Sequence, residues 1–167
     1  MSKLEILTTK ILDVDQLRRA IAVGKFKNQK VVFTNGCFDI LHLGHIEYLS
    51  KAADLGDVLV IGVNTDRSVQ RIKGNSRPIN DEHSRSMVLA ALGFVTAVLL
   101  FDEETPYELI KTIQPDILVK GKDYTVEEVV GHDIVLAKGG KVVTIELTPG
   151  YSTTAIEQKI LRLHQVK

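Results

Sequence analysis

The stretch that decides the fold is Lys30-Val31-Val32-Phe33-Thr34-Asn35-Gly36-Cys37-Phe38-Asp39-Ile40-Leu41-His42-Leu43-Gly44-His45. It opens on a short apolar run, Val31–Thr34, of the kind expected for a strand buried on both faces. Asn35-Gly36 then reads as a turn, and a helix is predicted to begin near Gly44. A strand that feeds a helix in this way is the junction where open α/β sheets hold phosphates. Free backbone N–H groups and the helix dipole both favour an anion there. His42 and His45 stand three residues apart, so near a helix start they project to one side. Two imidazoles can donate hydrogen bonds to phosphate oxygens and, if protonated, balance charge that builds up in a transition state. Gly44 between them would let a nucleotide approach the backbone closely. Asp39, His42 and His45 also fit a second reading, a divalent metal site. Against a closed zinc site, Cys37 is the only thiol and no fourth ligand stands nearby.

Outward from this junction, short β-branched runs recur at Val58–Val63, Ala97–Phe101, Ile117–Val119 and Lys141–Ile145. Between them lie stretches with helical spacing: Ile46, Leu49 and Ala53; Val88, Ala91 and Leu92; Ile156, Ile160 and Leu163. Helix starts are marked by Asp13–Gln16, by Thr105-Pro106-Tyr107-Glu108 and by Thr154-Ala155-Ile156-Glu157. The first of these opens a helix carrying Leu17, Ala20 and Ile21. The alternation predicts an α/β fold, a Rossmann-like, doubly wound, parallel five-stranded sheet with helices on both faces. Ligands in such sheets bind beyond the carboxyl ends of the strands. No repeat, low-complexity tract or linker interrupts the chain. One domain over 1–167 is expected, with an N-terminal helical extension over 1–29 and a catalytic core over 30–160.

Bulk properties exclude several classes. The chain has 167 residues, enough for a sizeable core, and 44% apolar content argues against disorder. Lys plus Arg equals Asp plus Glu at 21 each, unlike the basic surplus of a general nucleic-acid binder. A single cysteine permits no intramolecular disulfide. The N-terminus lacks the apolar segment of a signal peptide, and no run approaches the roughly 18 apolar residues of a membrane span. A soluble, cytoplasmic protein without nucleic-acid or membrane partners is expected. The P-loop pattern and the G-x-G-x-x-G dinucleotide fingerprint are both absent.

Thr34-Asn35-Gly36-Cys37-Phe38-Asp39 followed by His42-Leu43-Gly44-His45 resembles the signature of the cytidylyltransferase-like nucleotidyltransferases, which share a Rossmann-like fold and an H-x-G-H motif. Gly150-Tyr151-Ser152-Thr153-Thr154 resembles their S-T-T element. Val63–Asp66, Lys73–Asn80, Leu118–Tyr124 and the S-T-T element together are similar to the adenylyltransferase domain of bacterial ADP-heptose synthases. Those enzymes join ATP and D-glycero-β-D-manno-heptose 1-phosphate into ADP-heptose and pyrophosphate, a precursor of lipopolysaccharide core and other glycans. Glu146–Gly150 lacks the arginine that glycerol-3-phosphate cytidylyltransferases carry before this element, which favours the heptose branch. A CTP-dependent transferase acting on glycerol 3-phosphate, and a non-catalytic nucleotide-binding module, are the competing readings.

The resemblance implies roles residue by residue. His42, His45, Lys73 and Arg85 would act on the triphosphate in catalysis. Thr34, Asn35, Gly36, Phe38, Gly44, Lys120, Gly121, Ser152, Thr153 and Thr154 would bind the nucleotide. Asp39, Asn64, Asp66, Arg77 and Asp123 would serve the acceptor. Simpler roles stand beside these: helix-terminal carboxylates for Asp39 and Asp66, capping for the three hydroxyls, and a solvated loop for Lys73 and Arg77. Mg²⁺ is expected to arrive with ATP, without a dedicated protein cage. The kinase domain that precedes this one in many family members is expected on another chain. A homodimer is possible in this family.

Overall fold

The computed structural model describes residues 1–165. Five strands, β1 Val31–Gly36, β2 Val58–Asn64, β3 Ala97–Phe101, β4 Ile117–Gly121 and β5 Lys141–Ile145, form one sheet in the order β3-β2-β1-β4-β5. Every pairing is parallel. The α/β doubly wound expectation holds, and the strand order reverses between β1 and β4. That switch point opens a crevice beyond their carboxyl ends.

The helices are α1 Lys3–Thr8, α2 Val14–Phe26, α3 Leu43–Ala53, α4 Asp66–Lys73, α5 Glu82–Ala90, α6 Tyr107–Ile113, α7 His132–Ala137 and α8 Thr153–Gln165, with a 3-10 turn at Val126–Glu128. Strand alternation sorts the core into two layers. Val32 joins Leu49, Ala52, Leu89 and Ala90 on one face, while Val31 and Phe33 join Leu17, Ile21, Ile110 and Val135 on the other. Among the described residues no helix is long and apolar enough to cross a membrane.

The N-terminal extension holds two helices rather than one, and it also reaches the sheet. Ile11 bridges to Val98, and Leu12 N–H donates to the Val98 carbonyl at 2.9 Å. That contact covers part of the β3 edge, which would otherwise leave backbone groups unpaired. The Asp13 capping box forms as expected, its carboxylate accepting from Gln16 N–H. The other two do not. The N-cap of α6 is Pro106, without a side-chain cap. Helix α8 begins at Thr153, where the Ser152 hydroxyl accepts from Ala155 N–H; Glu157 turns elsewhere.

Three predicted apolar faces are also rotated or uncovered. Ala20 is exposed on α2 while Leu17, Ile21 and Gly24 are buried. On α5 the buried face is Arg85, Ser86, Leu89 and Ala90, so Val88 and Ala91 point outward. On α8, Ile160 and Leu163 lie exposed, and only Ile156 of the predicted stripe is partly covered.

Candidate functional site

Beyond the ends of β1 and β4 lies a cleft of two chambers, about 350 and about 250 Å³, that share Asn35, Gly36, Cys37, Lys73, Lys120 and Tyr124. The inner chamber adds Phe38, Asp39, His45, Tyr48, Gly121, Asp123, Leu147 and Thr153. The outer one adds Asn64, Ile72, Glu104, Thr105, Pro106, Glu128 and Val129. The shared residues form the throat. Lys120 spans it, its Nζ donating to the Asn35 carbonyl at 3.4 Å and Oδ1 at 3.3 Å. Burial holds the Lys120 ammonium below its ordinary pKa, while the nearby Asp123 carboxylate pulls the other way.

The first wall of the inner chamber is the β1–α3 junction. Phe38 takes a left-handed backbone conformation, φ 48°, and swings its ring back over Gly36. A Cβ on Gly36 would lie 3.0 Å from that ring. Phe38 then meets His45 edge-on, with ring centroids 5.4 Å apart. His42 caps α3 and its Nδ1 accepts from His45 N–H at 3.4 Å, which leaves the proton on Nε2 of the neutral ring. The two imidazoles stack, centroids 3.8 Å apart. Only His45 lines the chamber; His42 acts beside it. Burial, then the charges of His42 and Lys73, push the His45 pKa down to about 4, and burial lowers that of His42. Nδ1 of His45 is buried without a normal hydrogen bond, although the Ile40 carbonyl nearby slightly favours its charged form. At neutral pH both rings are therefore uncharged.

Several sequence-predicted residues are spent on building this wall. Thr34 is buried and shares a 2.7 Å hydrogen bond with Tyr48, whose hydroxyl burial pushes up to about 12. Thr34 therefore faces α3, not the cleft. Gly44 is buried: a Cβ there would lie 3.2 Å from the His42 ring and 3.3 Å from Tyr151, so both side chains pack closely against its backbone.

Arg85 departs furthest from expectation. Its side chain is fully buried and donates to the carbonyls of Asn80 at 3.0 Å, Cys37 at 2.6 Å and Asn64 at 2.8 Å, and to Asp66 Oδ1 at 2.8 Å. It is a strut beneath the cleft and lines neither chamber. Asp66 is correspondingly its partner. Asn64 lines the outer chamber, yet its amide donates to Ser68 at 3.0 Å.

Asp39 and Arg77 likewise meet each other. Asp39 Oδ1 accepts from the N–H groups of Ile79 at 2.8 Å and Asn80 at 3.0 Å, and Oδ2 from Arg77 at 3.0 Å. Burial raises the Asp39 pKa, but the hydrogen bonds from Asn80, Arg77 and Ile79 outweigh it and hold the carboxyl below its ordinary value. Arg77 also pairs with Glu157. A carboxylate so engaged is a poor metal ligand, and no group of three His, Cys, Asp or Glu suited to a metal occurs among the described residues.

The cleft brings together Asn35, Gly36, Phe38, Asp39, His45, Asn64, Lys73, Lys120, Gly121, Asp123 and Thr153, while Ser152 and Thr154 lie outside it. Reading the sequence missed Tyr48, Leu147 and the outer rim Glu104–Pro106 with Glu128–Val129. Tyr124 stood within the quoted Leu118–Tyr124 stretch without a role, and Cys37, read as packing, lies in the throat.

Comparison with known proteins agrees with this geometry. The profile of the cytidylyltransferase-like family matches residues 33–159. The bifunctional protein HldE of Citrifermentans bemidjiense is 54% identical over 92% of this chain and 31% of its own length. HldE of Campylobacter curvus is 58% identical over 79% of this chain and 27% of its own length. The chain thus spans about a third of the length of the curated relatives it matches. A lipopolysaccharide core biosynthesis protein of Thermoplasma volcanium superposes with a TM-score of 0.59 at 34% identity, over 72% of this chain and 97% of that one. Pantoate-beta-alanine ligase of Francisella tularensis, at 20% identity over 91% of this chain and 78% of its own, shares the fold with a TM-score of 0.61. The H-x-G-H junction at the switch point, the S-T-T element across the cleft from it and the profile match lead to one conclusion: the chain belongs to the cytidylyltransferase-like family.

Proposed function

We propose that this chain transfers AMP from ATP to D-glycero-β-D-manno-heptose 1-phosphate, giving ADP-heptose and pyrophosphate. The observation that carries the reading is the two-chambered cleft with cations at its throat. The inner chamber suits a nucleoside triphosphate, with the His45 imidazole on one side and the start of α8 on the other. The outer chamber suits a phosphorylated sugar. Lys73 and Lys120 stand at its phosphate end, and Thr105, Glu104 and Glu128 offer acceptors and donors for hydroxyls at its rim. Resemblance to the heptose branch, and HldE relatives at about half identity, support the substrate.

The chemistry follows from positioning. An oxygen of the sugar 1-phosphate attacks the α-phosphorus in line; a new O–P bond forms as the bond to the β-phosphate bridging oxygen breaks, and pyrophosphate leaves. No covalent enzyme intermediate is needed. Lys120 and Lys73 at the throat offset the repulsion between the two phosphates. A neutral His45 contributes a hydrogen bond rather than a full charge, and His42 fixes its ring by stacking. Mg²⁺ carried by the nucleotide would neutralise the triphosphate and the departing pyrophosphate. The Asp39 carboxylate is already taken, so the chain's own contribution to such an ion is small.

Pyrophosphate release with Mg²⁺, measured across four nucleoside triphosphates and an acceptor panel, tests this. Release with ATP and heptose 1-phosphate, and loss in His45→Ala, is expected. Release only with CTP and glycerol 3-phosphate would overturn the substrate, and ATP binding without turnover of any acceptor would overturn the activity.

A further inference from the structure

We infer that Arg77 and Glu157 form a clasp that seats helix α8, and with it the phosphate-facing end of the S-T-T element, against the rest of the site. Both are positioning residues. The inference rests on the nucleotide reading of the inner chamber, which Thr153 at the first turn of α8 lines.

The need for a clasp comes from how little else holds this helix. From Gln158 through His164 every residue of α8 is exposed, including Ile160, Leu161 and Leu163. Burial of an apolar stripe, the usual anchor of a helix on a sheet, is nearly missing. Among the described residues, the only side-chain hydrogen bond or ion pair from α8 to another element is Glu157 to Arg77. The loop ahead of α8 has ties of its own, from Thr148 to Glu47 and from Tyr151 against Gly44. These locate the approach to the helix but leave its axis free to swing.

Arg77 is well placed to stop that swing. Its side chain is only 14% exposed and it is gripped from the other side by Asp39, itself 5% exposed. Asp39 is fixed in turn by Ile79 and Asn80 N–H, and Asn80 by the buried Arg85. A rigid chain of hydrogen bonds thus runs from beneath the sheet ends to one carboxylate on α8. The planar guanidinium serves both carboxylates at once, one through each terminal nitrogen. With the clasp formed, Thr153 faces the inner chamber. Without it, the seated orientation becomes a fraction of the population, and apparent ATP affinity falls to that fraction of its seated value.

The test compares Glu157→Ala, Arg77→Met and the double variant with wild type, using Gln158→Ala as an exposed control. ATP dissociation constants and KM for ATP should rise about tenfold in either single variant, the effect of one charge-assisted interaction. The double variant should be no worse than the poorer single one, kcat of Glu157→Ala at saturating ATP should stay within about threefold, and Glu157→Gln, which keeps an acceptor for Arg77, should recover part of the loss. Amide hydrogen exchange should show faster exchange confined to α8 and its lead-in. Unchanged ATP affinity and unchanged exchange in Glu157→Ala would overturn the clasp, as would a kcat loss at unaltered ATP affinity. Direct ATP binding and exchange do not need turnover, so a failure of the proposed reaction shows separately, as wild type that binds ATP and releases no pyrophosphate.

Discussion

The two walls of the inner chamber are built on opposite plans. The β1–α3 wall grows from the central strand of the sheet. Its turn is held by Phe38 over Gly36, by the His42 cap, by the Thr34–Tyr48 bond and by the Arg85 strut below. The α8 wall is a mostly exposed helix tied by one ion pair and its lead-in loop. One wall is part of the core; the other is hung on it. A site that must set a reacting phosphate to within fractions of an ångström gains from a rigid first wall. Under the proposed reaction it must also let pyrophosphate out, and a lightly tethered second wall allows that.

The largest effect that would separate the walls is at Arg85. Arg85→Met strands three carbonyls and the Asp66 carboxylate, and breaking a buried ion pair from one side costs about 3–5 kcal/mol. Urea unfolding should show that loss, with ATP turnover falling along with folded protein. A loss under about 1 kcal/mol would mean that the first wall does not rest on the strut, since even one unpaired buried carbonyl should cost about that much. Next comes His45→Ala, for which a kcat loss of about 100- to 1,000-fold, or 2.7–4 kcal/mol, is expected with little change in stability. His42→Ala should differ in kind. It removes a helix cap, costing about 0.5–2 kcal/mol of stability, and lowers kcat less than the His45 variant does. Equal kcat losses would show that His42 touches phosphate directly.

These contrasts follow the limits of what the sequence discloses. The strands were legible because β-branched runs have few other uses, and the parallel sheet followed from alternation, whereas the strand order and its switch point came only with the structure. The face of α5 was misread because Arg85 and Ser86 occupy buried positions, so the apolar period points one residue away from the true face. The stripe on α8 is real as a pattern, but periodicity does not say whether anything covers it. Charged residues near the motifs were found as a group, yet which of them meet each other depends on loops folding over one another. Asp39, Arg77 and Glu157 lie far apart in the chain and belong to no shared motif. The outer rim, Glu104–Pro106 and Glu128–Val129, follows the ends of β3 and β4 and becomes one surface only through the sheet.

A smaller effect is expected where the two walls touch. Gly44→Ala would press a methyl group on the His42 ring and Tyr151 at 3.2 and 3.3 Å. Overpacking of this kind costs about 1–3 kcal/mol. If α8 is hung rather than built in, Tyr151 can retreat, and the cost should fall at the low end and appear chiefly as a raised KM for ATP. A stability loss above about 3 kcal/mol with unchanged KM would show the second wall to be as rigid as the first.

The smallest and most specific effect is a titration. The His45 pKa is pushed down to about 4, from 6.5. Between those values the unfolded chain binds a proton that the folded chain does not, so stability rises with pH through this window and is lost as pH falls from 6.5 toward 4. His42 is shifted in the same direction and adds to the same slope. Asp39 acts lower still: its folded pKa lies below 3.8, so its contribution is present above that value and lost as pH falls through the folded one. Histidine ring NMR on the free protein should show His45 titrating near 4, with His42 carrying its proton on Nε2 at neutral pH. Binding ATP brings negative charge beside the same ring and should move the His45 midpoint upward. A midpoint near 6.5 in the free protein would mean that water reaches the ring freely, and that the first wall is as loosely built as the second.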